Sequence, residues 1–370
     1  MIVAELAANE GQKDQAVRAS WGCLEYVPIV ISPPLDFVGD ISVAGSPPEW
    51  RFPNTTEAEL AGFFHEAGLT NAEKDTLLRA VRHDSEATGL RLLPEPDVVR
   101  SLSSTARAHI YHRLGCSPLN PVHNNAFRFT GTTLEQWFDD ANVATKTIEL
   151  VATYVYRNGS MLFFADWDLV FPEVTDTGER RRLVSALARE ATVLMKLRIA
   201  PRMELDTILD YWGRGRHNKD IRPVLESLAR CREGQVIDVV HLLPPFARRL
   251  LYTYPHPPRN DAETRRDCHW SSLNFFNEWP DDRFLDLDCV KETIETRYCR
   301  LNGPPGFGDL VLFCEPHGEV FHSAIYIADN VVFTKNGSTM LRPWMFMRLP
   351  EMADFYPRIR PIEVRFYRRY

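Results

Sequence analysis

The stretch GDLVLFCEPHGEVFHSAIYIADNVVFTKNG, residues 308–337, decides the fold of the C-terminal third of the chain. Three apolar runs within it are separated by polar stretches, and the Asp329–Asn330 pair between the last two is a turn signal. The pattern predicts a three-stranded antiparallel meander in which His322 opens the second strand. Thr334 and Asn336 stand two residues apart on the third strand, and the alternation of side chains places them on one face.

Upstream of this meander, one cysteine stands where a helix is predicted to begin. Cys268 follows a polar, turn-prone stretch, and Trp270, Leu273 and Phe276 then recur at helical spacing. The free N–H groups and the dipole at a helix N-terminus stabilise a thiolate and lower its pKa. Because a thiolate is the attacking species in acyl transfer, this position predicts that Cys268 is a nucleophile.

The order of these motifs resembles that of the NlpC/P60 family. This chain has Asp-Cys, then Gly-Asp-Leu-Val, then His followed by Ser-Ala-Ile-Tyr. The family has Asp-Cys-Ser-Gly, then Gly-Asp-Leu-Val-Phe-Phe, then His-Val-Gly-Ile-Tyr. Cys268 and His322 are 54 residues apart, which is near the family spacing. The resemblance covers roughly the last 105 residues, from Asp267 to the end, and does not extend to the first 240 or so.

The resemblance implies a papain-like fold and the hydrolysis of amide bonds, typically in cell-wall peptides. Carried over by position, Cys268 is the nucleophile and His322 the general base, with no metal or organic cofactor. The family often has a further histidine about twelve residues beyond its catalytic histidine, where this chain has Thr334. We prefer Asn336 as the residue that orients His322, because an amide oxygen holds an imidazole N–H better than a hydroxyl does. Thr334 is the alternative.

The residues around Cys268 depart from the family pattern. Cys-Ser-Gly is replaced by Cys268, His269 and Trp270, a bulkier first helical turn, which puts the substrate preference in question. Trp270 is therefore a candidate binding residue, and Tyr254, upstream of the cysteine, is a weaker candidate whose alternative role is core packing. His269 is not expected to serve as the base, since side chains one residue apart on a helix point in different directions.

Each of these assignments has a structural alternative. Cys268 could be one of several inert buried cysteines, and His322 a strand histidine satisfied by a backbone carbonyl. Asn336 precedes Gly337, and an Asn-Gly pair is a strong turn signal in its own right. The functional hypothesis is a cysteine peptidase or amidase. Its rivals are a thiol acyltransferase and a non-catalytic binding or scaffold protein that keeps the fold.

The whole chain predicts an α+β protein with a mainly helical N-terminal region. We divide it into residues 1–235, whose role the sequence does not indicate, and residues 236–370, the thiol hydrolase domain. Capping boxes at Thr56 and Thr70 predict two helix starts. An Asn-Gly turn at 158–159 predicts a hairpin, and the apolar spacing from Leu183 to Leu194 predicts a long helix after it.

Composition narrows the partners. The formal net charge of −7 disfavours nucleic acid as a partner. The resemblance implies a peptide or amide substrate, including one derived from peptidoglycan. The chain has no apolar run long enough for a membrane span and no secretory signal as written. The default expectation is a cytoplasmic location, or an extracytoplasmic one if the chain was trimmed. The seven scattered cysteines include no CxxC pair, which disfavours a thiolate zinc site and predicts at least one free thiol.

Overall fold

The computed structural model describes residues 19–38, 48–83, 88–129, 133–159, 161–260, 263, 266–356 and 362–370. The strands in these ranges are β1 (Cys23–Ile31), β2 (Trp50–Pro53), β3 (Val81–His83), β4 (Gly89–Leu92), β5 (Phe127–Phe129), β6 (Tyr156–Asn158), β7 (Met161–Phe164), β8 (Glu190–Ile199), β9 (Gln235–Asp238), β10 (Tyr298–Arg300), β11 (Leu310–Cys314), β12 (Val320–Ala328), β13 (Val331–Lys335), β14 (Trp344–Arg348) and β15 (Glu363–Arg369). The helices are α1 (Leu35–Val38), α2 (Glu57–Glu66), α3 (Asn71–Arg79), α4 (Pro96–Ser101), α5 (Ser104–Gly115), α6 (Pro121–Asn124), α7 (Leu134–Phe138), α8 (Thr145–Tyr154), α9 (Trp167–Val170), α10 (Thr177–Leu187), α11 (Asp206–Trp212), α12 (Asn218–Ala229), α13 (Pro245–Leu250), α14 (Cys268–Leu273), α15 (Leu287–Arg297) and α16 (Leu349–Phe355).

Contacts divide the chain into two compact units. The first unit comprises Met1–Ile31, Ala191–Ala353 and Arg360–Tyr370, and the second comprises Ser32–Glu190 and Asp354–Ile359. Residues 191–235 thus belong with the C-terminal sheet and not with the N-terminal region to which we had assigned them. The physical reason is that β8 pairs with β9 and that the apolar faces of α11 and α12 enter the same core as β11 to β14.

A six-stranded sheet organises the first unit. Its strand order is β10-β15-β11-β12-β13-β14, and all neighbouring strands are antiparallel. The predicted meander is confirmed as β11, β12 and β13, and the predicted turn joins the last two through Asp329 and Asn330, whose φ angles are 47° and 59°. Mixed helix and antiparallel sheet confirm the α+β class.

The short helix α14 packs on the middle of this sheet, and all six of its residues are buried. The Ser323 hydroxyl on β12 donates to Ser272 at 3.2 Å, and the Trp344 indole N–H on β14 donates to Ser271 at 2.8 Å. At the C-terminal end of the helix, the rings of Phe275 and Phe333 lie 5.6 Å apart. Polar anchors along the helix and an aromatic contact at its end therefore fix the position of its first residue, Cys268.

The Gly-Asp pair before β11 has a structural role. Asp309 is 2% exposed, accepts from the Gly306 N–H at 2.7 Å, and forms two hydrogen bonds with the Arg368 guanidinium at 2.6 and 2.9 Å. Arg214 reaches the same carboxylate at 3.4 Å. A buried carboxylate needs such partners, and this one ties the turn before β11 to β15 and to the 214–216 segment.

The second unit combines helices with two small sheets, of order β2-β4-β3 and β5-β7-β6. Both capping boxes are confirmed, since the side chains of Thr56 and Thr70 accept from the N3 N–H groups of α2 and α3. The hairpin is confirmed as β6 and β7, although residues 152–154 belong to α8. The predicted helix from Leu183 onward ends at Leu187, and β8 begins at Glu190. Within the described ranges, no helix has the length and apolar character that crossing a membrane requires.

Candidate active site

Cys268 is the first residue of α14, as the sequence predicted. The Asp267 side chain caps the helix by accepting from the Trp270 N–H at 3.0 Å, and the Ser271 hydroxyl donates to the Asp267 carbonyl at 2.6 Å. These two bonds hold the first turn, so the thiol stands at a defined place above the sheet. Cys268 is only 6% exposed.

Two imidazoles flank the thiol. Burial alone would raise the pKa of Cys268, but the charges of His269 and His322 and their hydrogen bonds to the sulfur bring it well below its ordinary value. The structure thus brings Cys268 and His322 together, although they are 54 residues apart in the sequence. The two imidazoles therefore favour the thiolate form of Cys268.

The expectation that His269 would point away from Cys268 is wrong. Every Cα–Cβ bond of a helix tilts toward its N-terminus, and no earlier helical turn separates the side chains of the first two residues. The two side chains therefore meet. Burial lowers the pKa of His269, but the charge of Cys268, the hydrogen bond to it and the charge of Asp267 raise it to about 9. His269 is 8% exposed, and its Nδ1 has no hydrogen-bond partner among the residues that the structure describes.

A chain of hydrogen bonds runs from His322 along β13. The Thr334 hydroxyl donates to Asn336 Oδ1 at 3.1 Å, so its oxygen is left to accept from His322 Nε2, which lies 2.9 Å away. The Asn336 Nδ2 group in turn donates to the Met347 sulfur at 3.6 Å, and this contact orients the amide. This direction of donation puts the proton of a neutral His322 on Nε2 and leaves the Nδ1 lone pair for the thiol.

The residue that contacts His322 is therefore Thr334, and not Asn336, which we had preferred. Thr334 lies within β13. Because side chains alternate along a strand, it shares a face with Val332, which pairs with Tyr326 on β12. Asn336 follows the end of the strand, and its Oδ1 accepts from the Thr334 hydroxyl. It acts on His322 through Thr334, which makes it the second member of the chain.

Lys335 is a component of this region that the sequence did not indicate. It is fully buried, and its ammonium donates to the carbonyls of Gly337 at 2.6 Å and Thr339 at 3.1 Å and lies 5.5 Å from the centre of the Trp344 ring. Burial lowers the pKa of Lys335 to about 7, although the negative charges of Asp267 and Cys268 oppose that shift. A lysine at the end of a strand is usually exposed, so no sequence pattern identified it.

The two candidate binding residues lie inside the protein. Trp270 is 2% exposed, its indole N–H donates to Asp282 at 2.9 Å, and its ring packs against Phe246 at 5.3 Å. Tyr254 is 5% exposed, and its hydroxyl donates to the Ile31 carbonyl at 3.1 Å. Packing explains both positions, so the structure does not present either side chain as a substrate-binding surface.

The remaining thiols and the acidic residues do not form a second centre. All seven cysteines are free, and burial raises the pKa of Cys314, the other buried one. Among the residues that the structure describes, no group of three or more His, Cys, Asp or Glu side chains could hold a metal ion. Cys268 thus differs from Cys314 in its imidazole neighbours and not in its burial.

No family model matches this chain, and neither a curated protein nor a solved structure matches it. The chemistry of the site is therefore inferred from the contacts of Cys268, from its two imidazoles and from the hydroxyl and amide beyond them.

Proposed function

We propose that the first unit is a papain-like thiol hydrolase that cleaves amide bonds. The observation that carries this proposal is the contact of a buried helix-start thiol with His322, whose far nitrogen is held by Thr334. A structural cysteine needs no such arrangement, whereas a nucleophile needs a base and the base needs a fixed tautomer. The order of a cysteine helix followed by an antiparallel sheet that bears the histidine supports the papain-like assignment.

The reaction has two steps. In the first, the Cys268 sulfur bonds to the carbonyl carbon, the carbon–nitrogen bond breaks, and the leaving amine takes one proton from an imidazolium of the site. In the second, His322 takes a proton from water, the water oxygen bonds to the acyl carbon, and the sulfur leaves as thiolate. The Cys268 backbone N–H stands at a helix N-terminus, where it can donate to the oxyanion of both tetrahedral intermediates. Peptides, including those of bacterial cell walls, are the substrate class that the motif resemblance favours.

Alkylation and acyl transfer test this proposal together. Iodoacetamide should label Cys268 faster than Cys314 and Cys289 below about pH 7, because the imidazoles beside Cys268 lower its pKa and the thiolate is the form that alkylates. The adducts are mapped by mass spectrometry. The protein should also release amine from fluorogenic dipeptide amides or peptidoglycan stem peptides, and Cys268→Ala should abolish the release while Cys289→Ala does not.

The outcomes separate the rival functions. Uniform slow labelling of all cysteines, without amine release, would contradict the hydrolase and favour the scaffold protein. Amine release that yields an acyl–amine product when a free amine is added, in place of the free acid, would favour an acyltransferase.

A further inference from the structure

A cavity of about 370 Å³ lies in the first unit, between the first turns of α12 and the segment that runs from β9 to α13. Its volume is near the lower end of the range of small-molecule sites, about 300–1,000 Å³. His217, Asp220 and Ile221 line it from the start of α12, where spacings of three and four residues bring them to one face. The described residues that line it include neither Cys268 nor His322.

A buried imidazole of this cavity lacks a hydrogen-bond partner. His217 is 7% exposed, and its Nε2 has no partner in the described part of the chain. Its ring lies 6.3 Å from that of Phe307, which belongs to the core of the same unit. A buried polar atom without a partner costs free energy, and a polar group bound in the cavity would recover it. Burial lowers the pKa of His217, so the ring is neutral near pH 7.

Two opposite charges stand at the exposed rim of the same cavity. Arg248, on α13, and Asp220, on α12, both line it. Within the described ranges neither side chain has an ion-pair partner, although both act electrostatically on His217. A ligand with only a negative group would meet the Asp220 carboxylate, and one with only a positive group would meet the Arg248 guanidinium. A ligand that bears both charges matches both side chains.

The wall between the floor and the rim is apolar. Ile221, Ile237 and Leu243 are 3%, 8% and 1% exposed and line the cavity from α12, from β9 and from the segment before α13. Val224, one helical turn beyond Asp220, extends this surface toward the rim and is 44% exposed. An apolar group of a ligand would be removed from water against these side chains.

We propose that this cavity binds a free apolar amino acid, with its carboxylate at Arg248, its ammonium at Asp220 and its side chain against Ile221 and Ile237. The planar guanidinium can bind a carboxylate through two parallel hydrogen bonds. Nε2 of His217 finds a partner in either neutral tautomer, because it accepts from the ammonium when it carries a lone pair and donates to the carboxylate when it carries the proton. The proposal does not depend on the chemistry of Cys268.

Calorimetric titration of the full chain tests the ligand. L-Leucine and L-phenylalanine should each bind with a single saturable isotherm. Three analogues each lack one recognised group: 4-methylpentanoate has no ammonium, 3-methylbutylamine has no carboxylate, and glycine has no apolar side chain. Each should bind about tenfold or more weakly than leucine, the factor that the loss of one charge-assisted hydrogen bond or of a buried aliphatic group gives.

Two rim variants test the location. Arg248 and Asp220 are exposed, so Arg248→Gln and Asp220→Asn should fold like the wild type. Each should weaken leucine about tenfold or more, whereas Arg248→Gln should not weaken 3-methylbutylamine, which has no carboxylate to lose. The matched control is Arg249→Gln, because Arg249 is the exposed neighbour of Arg248 in the chain and donates to the Glu278 carbonyl at 2.7 Å. It should bind leucine as the wild type does.

The outcomes are separate from those of the hydrolase proposal. Cys268→Ala should bind leucine with wild-type affinity, and a large loss there would place the amino acid at the thiol and overturn this inference. The absence of saturable binding, equal affinity for leucine and 4-methylpentanoate, or unchanged affinity in both rim variants would overturn it as well. In ¹⁵N-histidine-labelled protein, leucine should shift the Nε2 resonance of His217, which His217→Gln assigns by its loss. A resonance that does not move at saturation would exclude this cavity.

Discussion

At the scale of single residues, the Thr334 hydroxyl determines which nitrogen of His322 can act. Its own proton is committed to Asn336 Oδ1, so its oxygen accepts from His322 Nε2. A base must present a lone pair, and this arrangement presents Nδ1. Thr334 thus stands where the family that the motifs resemble often has a histidine.

Thr334→Val should therefore slow deacylation. Valine keeps the shape but removes the hydroxyl, which costs the hydrogen bonds to both His322 and Asn336 and the preference for one tautomer. A general base contributes about 10²–10⁴-fold to the rate. We expect the hydrolysis of acetyl-Cys268, formed with p-nitrophenyl acetate and followed by mass spectrometry, to slow about tenfold or more in this variant. Thr334→Ser, which restores the hydroxyl, should recover most of the rate. Equal decay in the valine variant and the wild type would contradict the role of Thr334.

The sequence predicted some of these residues and missed others for a physical reason. A helix start is a local signal, so the place of Cys268 could be predicted from spacing. The prediction that His322 opens its strand is wrong, because β12 begins at Val320, and its assignment as the base came from the motif resemblance. The contact between His269 and Cys268 depends on how the first helical turn packs. The burial of Lys335 on β13 depends on Trp344, which lies opposite it on the neighbouring strand β14. Tertiary contacts of this kind leave no periodic pattern in the sequence.

At the scale of elements, one phenylalanine explains two glycines. The Phe276 ring, just after α14, lies where a Cβ on Gly215 or Gly308 would be, at 2.1 Å from either position. Both glycines also have positive φ, +78° and +82°. The ring is thus held between two backbone segments, and the Gly of the Gly-Asp-Leu-Val motif is required by packing against the helix that carries the nucleophile.

Gly308→Ala should destabilise the protein by about 2–5 kcal/mol, the sum of left-handed backbone strain and overpacking. In a Phe276→Ala background the clash is gone, and the same change should cost only about 1–2 kcal/mol. Urea unfolding of the four proteins of this double-mutant cycle gives the coupling. Gly303→Ala, which places its Cβ within 4 Å of nothing, is the neutral control. A cost that does not depend on residue 276 would show that backbone strain alone requires the glycine.

Element types were predictable where local signals were strong. The capping boxes, the Asn-Gly hairpin and the meander came from turn and cap chemistry that acts within a few residues. The prediction of a helix beyond Leu187 was wrong. Ala191 and Leu194 continue a helical spacing, but this segment forms β8, which pairs with β1 and β9. Strand pairing over long sequence distances overrode a local preference.

At the scale of the whole molecule, the first unit is built from segments that are far apart in the chain. Tyr26 on β1 donates to the Asp329 carboxylate at 2.6 Å across 303 residues, and the Tyr252 hydroxyl donates to the Val193 carbonyl at 2.6 Å. Pairings of this range leave no shift in composition along the sequence. The sequence therefore predicts a boundary between residues 235 and 236, whereas the first unit resumes at Ala191. In the sequence, most of the second unit, Ser32–Glu190, lies between β1 and β8.

One histidine in the core of the second unit makes the stability of the protein depend on pH. His123 is 7% exposed, and its Nδ1 has no hydrogen-bond partner within the described part of the chain. Its ring lies 4.5 Å from that of Tyr111 in an edge contact. Burial lowers the pKa of His123 to about 3. The unfolded chain holds its histidine near the ordinary value of about 6.5, so between these two values the unfolded state binds more protons than the folded one.

The free energy of unfolding should therefore fall as the pH drops from about 6.5 toward about 3, and this contribution should be fully present only above the unfolded pKa. At about pH 5 the loss from His123 is about 2 kcal/mol. His123→Gln and His123→Phe cannot bind the proton, so each should lose about 2 kcal/mol less than wild type between about pH 7 and pH 5 in urea unfolding. The two variants differ in shape and polarity, so agreement between them attributes the effect to titration and not to packing. If wild type and both variants lose stability in parallel, the folded protein accepts a proton at His123, and the acid sensitivity must come from other groups.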